Sequence, residues 1–275
     1  MIDTHAHLNF SRFKKNVPEV LAAGHEAGVK IVIVPGTDVE SSMRAVELAN
    51  EYPSIFAAIG IHPHHAFELD GSDYQNAVAR ISSLAQNKRV VAIGEIGLDC
   101  HQYIDTKYKT YHIDDHFVEA QKKLFTSQLA IALTYKKSVI IHNREAKQHL
   151  LPLLNEHWDD RFRHKMVFHC CEPDGEMLAF AQQHEIYIGV DGDVTYWSEK
   201  QEFIKQVPID MLVLETDSPF LLPEPLKSQK LYPNTPANLP LIVECIAKIK
   251  NLDTDVVIQV STENARSLFG LHTKT

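Results

Sequence analysis

The feature that constrains this chain most is an alternation. Short apolar runs rich in β-branched residues fall near 2–7, 30–35, 55–61, 90–96, 138–142, 165–169, 186–190 and 211–216. Segments with helical spacing lie between them. Pro18-Glu19-Val20-Leu21 opens one, and Val39 to Glu51 carries Met43, Val46 and Leu48 among polar residues. The stretch from His116 to Lys136 sets Phe117, Leu124, Leu129 and Leu133 along one helix face, and patterns over 238–250 and 255–269 close the chain. Strand and helix repeated eight times over about 250 residues predict a (β/α)8 TIM barrel. It is read as one domain over residues 1–275. A doubly wound open sheet is the competing fold. No Gly-x-Gly-x-x-Gly turn follows the first run, so its dinucleotide-binding form lacks support.

A barrel of this kind places its active site at the C-terminal ends of the strands. In Asp3-Thr4-His5-Ala6-His7 a period of two predicts that Asp3, His5 and His7 face one way. A carboxylate and two imidazoles aimed together suit a transition-metal ion. With 16 histidines in the chain a chance His-x-His pair is easy to find, so further ligands must arrive. The third run leads into His62-Pro63-His64, and the fourth ends Gly94-Glu95-Ile96-Gly97-Leu98-Asp99, where two glycines let backbone or ligand come close. The fifth delivers His142, Asn143 and Arg144, the sixth His169, and the eighth Glu215-Thr216-Asp217. A lone strand-end histidine is more often a structural residue, and Glu215 alone reads as part of a buried hydrogen-bond network. Six candidates at five strand ends (His5, His7, Glu95, His142, His169 and Asp217) read as a metal centre.

Composition narrows the partners. The chain has 27 Lys and Arg against 36 Asp and Glu, a net charge of −9, which argues against a protein held to nucleic acid by overall charge. A metal cluster can still create a local positive site on an acidic surface. The N-terminus is too polar for a signal peptide, and no apolar run reaches membrane-spanning length. Cys100, Cys170, Cys171 and Cys245 form no Cys-x-x-Cys pair and read as reduced thiols of a cytoplasmic protein. No membrane contact and no obligate protein partner is expected.

The strand-end residues resemble the TatD-related metal-dependent hydrolases of the amidohydrolase-like barrel superfamily. The likeness covers nearly the whole chain through Asp3-Thr4-His5-Ala6-His7-Leu8, Gly60-Ile61-His62-Pro63-His64, Gly94 to Asp99, His142-Asn143-Arg144, His169 and Glu215-Thr216-Asp217-Ser218-Pro219. It implies one or two divalent ions (Zn, Mg or Mn). His5 and His7 would hold one with Asp217, His142 and His169 the other, and Glu95 would bridge them. It also implies a deoxyribonuclease acting on phosphodiesters, with single-stranded DNA ends as the expected substrate. Two segments depart from the family pattern. Cys170-Cys171-Glu172-Pro173 follows His169, and Tyr232-Pro233-Asn234-Thr235-Pro236 follows the eighth run, closer to the uncharacterised TatD-like branch. Neither touches the expected ligands; both bear on substrate preference.

Two ions about 3.5–4 Å apart lower the pKa of a shared water and stabilise a phosphoryl charge. Asp217 suits both a ligand and a proton acceptor, while Arg144 and His62 suit phosphate contacts, with Arg favoured for bidentate binding. Tyr103, Lys107, Tyr108, Lys109 and Tyr111 in one loop, and Tyr196 and Trp197 in another, either stack bases or pack loops onto the barrel. Cys170 and Cys171 are read as packing residues. The alternatives are hydrolysis of a non-nucleic-acid ester, lactone or amide, since this fold hosts many reactions, and a metal-stabilised binding module without activity. The second is disfavoured because a closed structural site seldom needs open coordination positions and a nearby arginine.

Overall fold

The computed structural model describes residues 1–104 and 112–271. Eight strands form one parallel sheet in chain order: β1 (Ile2–Asp3), β2 (Ile31–Pro35), β3 (Ile55–Ile59), β4 (Val90–Asp99), β5 (Ser138–Arg144), β6 (Met166–Phe168), β7 (Tyr187–Val190) and β8 (Leu212–Leu214). The two ends of the sheet meet. Thr4 N donates to Leu214 O at 3.0 Å, Asp217 N to His5 O at 2.9 Å and His7 N to Ser218 O at 2.7 Å, with a parallel bridge between Ala6 and Ser218. The result is the (β/α)8 barrel expected from the alternation.

Helices α1 (Val17–Glu26), α2 (Val39–Glu51), α3 (Gly71–Leu84), α4 (Asp115–Tyr135), α5 (Lys147–Glu156), α6 (Gly175–His184), α7 (Ser198–Gln206), α8 (Leu239–Lys250) and α9 (Thr254–Phe269) alternate with the strands or follow the last. Their starts follow from sequence: Asp38 and Asp114 accept from Ser41 N and Phe117 N as side-chain caps of α2 and α4. One apolar layer lies between helices and barrel. A second lies inside it, with Ile2, Ile33, Ala58, Ala92, Ile140, Val167, Tyr187 and Val213 drawn one from each strand. Leu268 and Phe269 of α9 pack against this inner layer and plug the N-terminal end of the barrel. The lower interior is therefore filled with apolar side chains, and the histidine and carboxylate cluster lies at the upper mouth.

Helix α4 fixes two strand ends directly. On its buried face Gln128 accepts from Ile61 N at 2.7 Å and donates to Ile61 O at 3.0 Å, and Gln121 does the same for Asp99 at 2.7 and 2.9 Å. Each amide replaces the ladder partner a strand loses as it leaves the sheet, so the backbone beside His62 and Asp99 is pinned.

The first strand differs from expectation. Regular pairing stops at Asp3, and Asp3 does not face the histidines. Its carboxylate accepts from His5 N at 3.2 Å, Thr216 N at 3.0 Å and Thr216 Oγ1 at 2.7 Å. These bonds turn the backbone after Asp3, which overrides the two-residue period. Burial lifts the Asp3 carboxyl to about 7.

Candidate metal centre

The six side chains singled out from sequence meet at the mouth of the barrel, around Glu95. Strand β4 carries it there because Gly97, at φ +155°, lets β4 run hard against β5: a Cβ at Gly97 would fall 1.8 Å from His142 O. On the β8–β1 side, His5 Nε2 lies 3.2 Å from His7 Nε2, 3.5 Å from Glu95 Oε2 and 3.7 Å from Asp217 Oδ1. His7 Nε2 lies 3.7 Å from Glu95 Oε2 and 3.4 Å from Asp217 Oδ1. A tetrahedron of bonds of about 2.0–2.2 Å has edges of about 3.3–3.6 Å. The five separations, 3.2–3.7 Å, lie close to that value, so His5 and His7 with either carboxylate have the spacing of ligands to one divalent ion.

On the β5–β6 side, Glu95 Oε1 lies 2.8 Å from His142 Nδ1, 3.7 Å from His169 Nε2 and 3.5 Å from His62 Nε2. The far nitrogens are occupied by other carboxylates: His142 Nε2 lies 3.0 Å from Asp99 Oδ2, and His169 Nδ1 lies 3.0 Å from Glu215 Oε1. This is the arrangement that orients metal-ligating histidines, one nitrogen anchored and the other presented. Glu215 also accepts from Cys170 N and Thr4 Oγ1, and a Cβ at Gly189 would lie 2.5 Å from its Oε1. Glu215 is thus part of a buried network, and that network holds His169.

Burial and charge divide the imidazoles. Burial opposes charge on His142, but its bonds to Asp99 and Glu95 outweigh this and lift it to about 9. His169 rises against burial to about 10 through Glu215. Burial, then the charge on His142, drives His62 down to about 3, and burial, then His169, lowers His5. Glu95 would be raised by burial, yet the surrounding imidazoles, His62 foremost, hold it well below the usual carboxylate range.

Asp217 lies three residues beyond β8, at φ +50°, a left-handed conformation that aspartate tolerates better than most residues. The loop that carries it is braced by Asn234, fully buried, which donates to Thr216 O and Leu221 O. This gives the divergent Pro233-Asn234-Thr235 segment a structural role. His62 turns to Glu95, and exposed Arg144 lies over the Tyr103 ring, 5.3 Å from its centroid, at the rim of a cleft of about 1240 Å³. Trp197 lines the same cleft, whereas Tyr196 packs under Lys227 Nζ at 3.1 Å. Lys107, Tyr108, Lys109 and Tyr111 lie outside the described residues. Sequence reading missed the orienting role of Asp99, whose Oδ2 also meets His64 Nε2 at 3.0 Å and Tyr103 OH at 2.9 Å. Its even separation from Glu95 along one strand was the available signal.

A second buried cluster adjoins the cleft. Cys170, Asp191 and Asp193 come together beside Lys200, whose Nζ lies 3.3 Å from Asp193 and 3.8 Å from Asp191. Lys200 already supplies the positive charge there. Burial, then Asp191, lifts Asp193 to about 8. Cys171 packs in the core. All four cysteines are free.

A family model described as TatD related DNase matches residues 2–270. The chain belongs to this family. It is 33% identical over 276 residues to the Escherichia coli 3'-5' ssDNA/RNA exonuclease TatD, covering 98% of this chain and 99% of that one. It is 32% identical over 274 residues to the uncharacterized metal-dependent hydrolase YabD of Bacillus subtilis, covering 99% and 100%. The crystal structure of YjjV, a TatD homolog from E. coli, superposes with a TM-score of 0.85 at 28% identity, covering 98% of each chain. No helix among the described residues is long and apolar enough to cross a membrane.

Proposed function

We propose that this member of the TatD family is a divalent-metal-dependent nuclease that hydrolyses phosphodiesters at the ends of single-stranded DNA. The observation that carries the reading is the cluster of His5 and His7 nitrogens within 3.7 Å of carboxylate oxygens of both Glu95 and Asp217, joined through Glu95 to two carboxylate-anchored histidines. His5, His7 and Asp217 would hold one ion, His142 and His169 a second, with Glu95 between them. When bound, such ions polarise a phosphoryl oxygen and lower the pKa of water. The chain's own groups do the rest. Asp217 faces the cleft with its side chain 13% exposed, so its carboxylate can accept the proton released by the attacking water. Arg144 at the rim can pair with a phosphate of the strand, and His62, whose Nδ1 accepts from His64 N, can donate from Nε2 to a phosphate oxygen beside Glu95.

The test is end-labelled single-stranded DNA offered to metal-loaded protein, with metal content measured. Stepwise shortening that a chelator abolishes is expected. Intact DNA alongside turnover of an ester or amide would overturn the reading. Arg144→Ala should raise KM with metal content unchanged, and unchanged kinetics would remove the phosphate contact.

A further inference from the structure

We propose that Phe220 and Phe10 form a stacking subsite for one nucleobase flanking the scissile phosphate, an inference that rests on the nuclease reading above. Phe220 is 51% exposed, while Phe13, Phe117 and Phe168 are fully buried. Leaving a phenyl ring half in water at the lip of a cleft forfeits burial that the fold secures for most of its phenyl rings, Phe67 being the other exposed one. The placement is specific. Phe220 stands three residues after Asp217, and its backbone N–H donates to Asp217 O at 2.8 Å, so ring and carboxylate belong to one turn. Phe10 lies flat on His7, with centroids 4.3 Å apart at 17°, and its N–H donates to His7 O. Phe220 stands edge-on to both, at 6.2 Å and 71° from His7 and 6.4 Å and 73° from Phe10. Two aromatic rings set nearly at right angles thus make a corner lining the cleft beside the metal centre.

The surroundings select the ligand. The cleft lining also carries Asp38, Glu40 and Glu47 against Lys14 and Arg44, with Arg44 paired to Glu47 at 3.0 Å. With three carboxylates to two cations, that lining favours a flat neutral group over a phosphate. Arg144 stands across the barrel on β5, where the strand's phosphate would lie. The cleft of about 1240 Å³ exceeds the roughly 300–1,000 Å³ of small-molecule sites, as a polymer strand requires. Every base has a π-face, so this corner would grip a strand with little regard to sequence.

The test compares oligonucleotides that differ only in one abasic residue, placed on either side of the bond cleaved. Wild type should cleave the intact oligonucleotide about 5- to 150-fold better in kcat/KM, the range of one base–aromatic stack. Phe220→Ala should lose most of that preference while cleaving the abasic oligonucleotide as wild type does. Phe220→Tyr should restore the preference, and Phe220→Leu should not. A readout independent of turnover is 2-aminopurine at the same position: binding to metal-free wild type should quench it, and binding to Phe220→Ala should not. A variant that discriminates as wild type does, or slows both oligonucleotides equally, overturns the subsite while the nuclease stands. Wild type that cleaves neither removes the nuclease reading and the subsite with it.

Discussion

On the β5–β6 side of the metal centre each histidine is gripped at its far nitrogen by a buried carboxylate, His142 by Asp99 and His169 by Glu215. On the β8–β1 side His5 and His7 leave Nδ1 buried without a hydrogen-bond partner among the described residues. Those two rings are set by other means. The backbone is locked by Asp217 N to His5 O and His7 N to Ser218 O, and the rings are sandwiched, His5 on His169 at 3.6 Å and His7 on Phe10. One half is organised by electrostatics, which strengthen the ligands but bind protons in competition with metal. The other is organised by sterics, which fix geometry without adding charge.

The largest effect should come from the group both halves share. Glu95→Gln keeps the shape but removes the charge, and should cost one metal and more than about a hundredfold in turnover, beyond the effect of an outer partner. Elemental analysis with kinetics decides it, and two ions with normal turnover would reject the shared role. Asp217→Asn keeps an oxygen donor and the left-handed backbone but cannot take the proton. It should lower kcat by about 10²–10⁴-fold with DNA affinity unchanged. Asp99→Asn should weaken metal binding by about 10–100-fold on the β5–β6 side alone; equal weakening of both ions would erase the distinction between the halves.

The smallest effect is in pH. His142 and His169 titrate in the metal-free fold near 9 and 10, above the ordinary histidine value of 6.5. Their contribution to stability is full below 6.5 and is lost as pH rises through 9 to 10. His5 and His62, which are lowered, contribute above 6.5 and lose it as pH falls. Metal-free protein should therefore soften at both extremes. Metal uptake near neutral pH should release about one proton per anchored histidine, countable by calorimetry in buffers of differing ionisation enthalpy. Uptake without proton release would contradict the electrostatic half.

Much of this was legible in one dimension. The apolar runs marked all eight strands because parallel strands are buried on both faces, and α2 spans Val39–Glu51 as expected, with Val46 and Leu48 buried and Met43 facing outward. Strand-end position also identified the side chains that gather around Glu95. What the sequence hid was the partner of each polar group. Gln121 and Gln128 sit seven apart on an apolar helix face, and only the docking of α4 shows that they replace lost ladder bonds. Asp3 was expected to face the same way as His5 and His7, yet Thr216, more than two hundred residues away, claims its carboxylate. Asp217 was expected at the end of a strand; a left-handed residue in the following turn aims it instead.

The seam between β1 and β8 has a consequence for when this protein becomes active. His5 and His7 stand at the start of the chain, while Asp217, and the Asn234 that braces its loop, arrive more than two hundred residues later. An emerging polypeptide can assemble β2 to β6 and bring Glu95 to His142 and His169, but it cannot close the pocket on Asp217 until the last strand docks against the first. Loop closure over such a span comes late in folding. Closure of the pocket is thereby tied to the last strand: a chain truncated before Asp217 lacks the carboxylate that, in the proposed mechanism, would accept the proton.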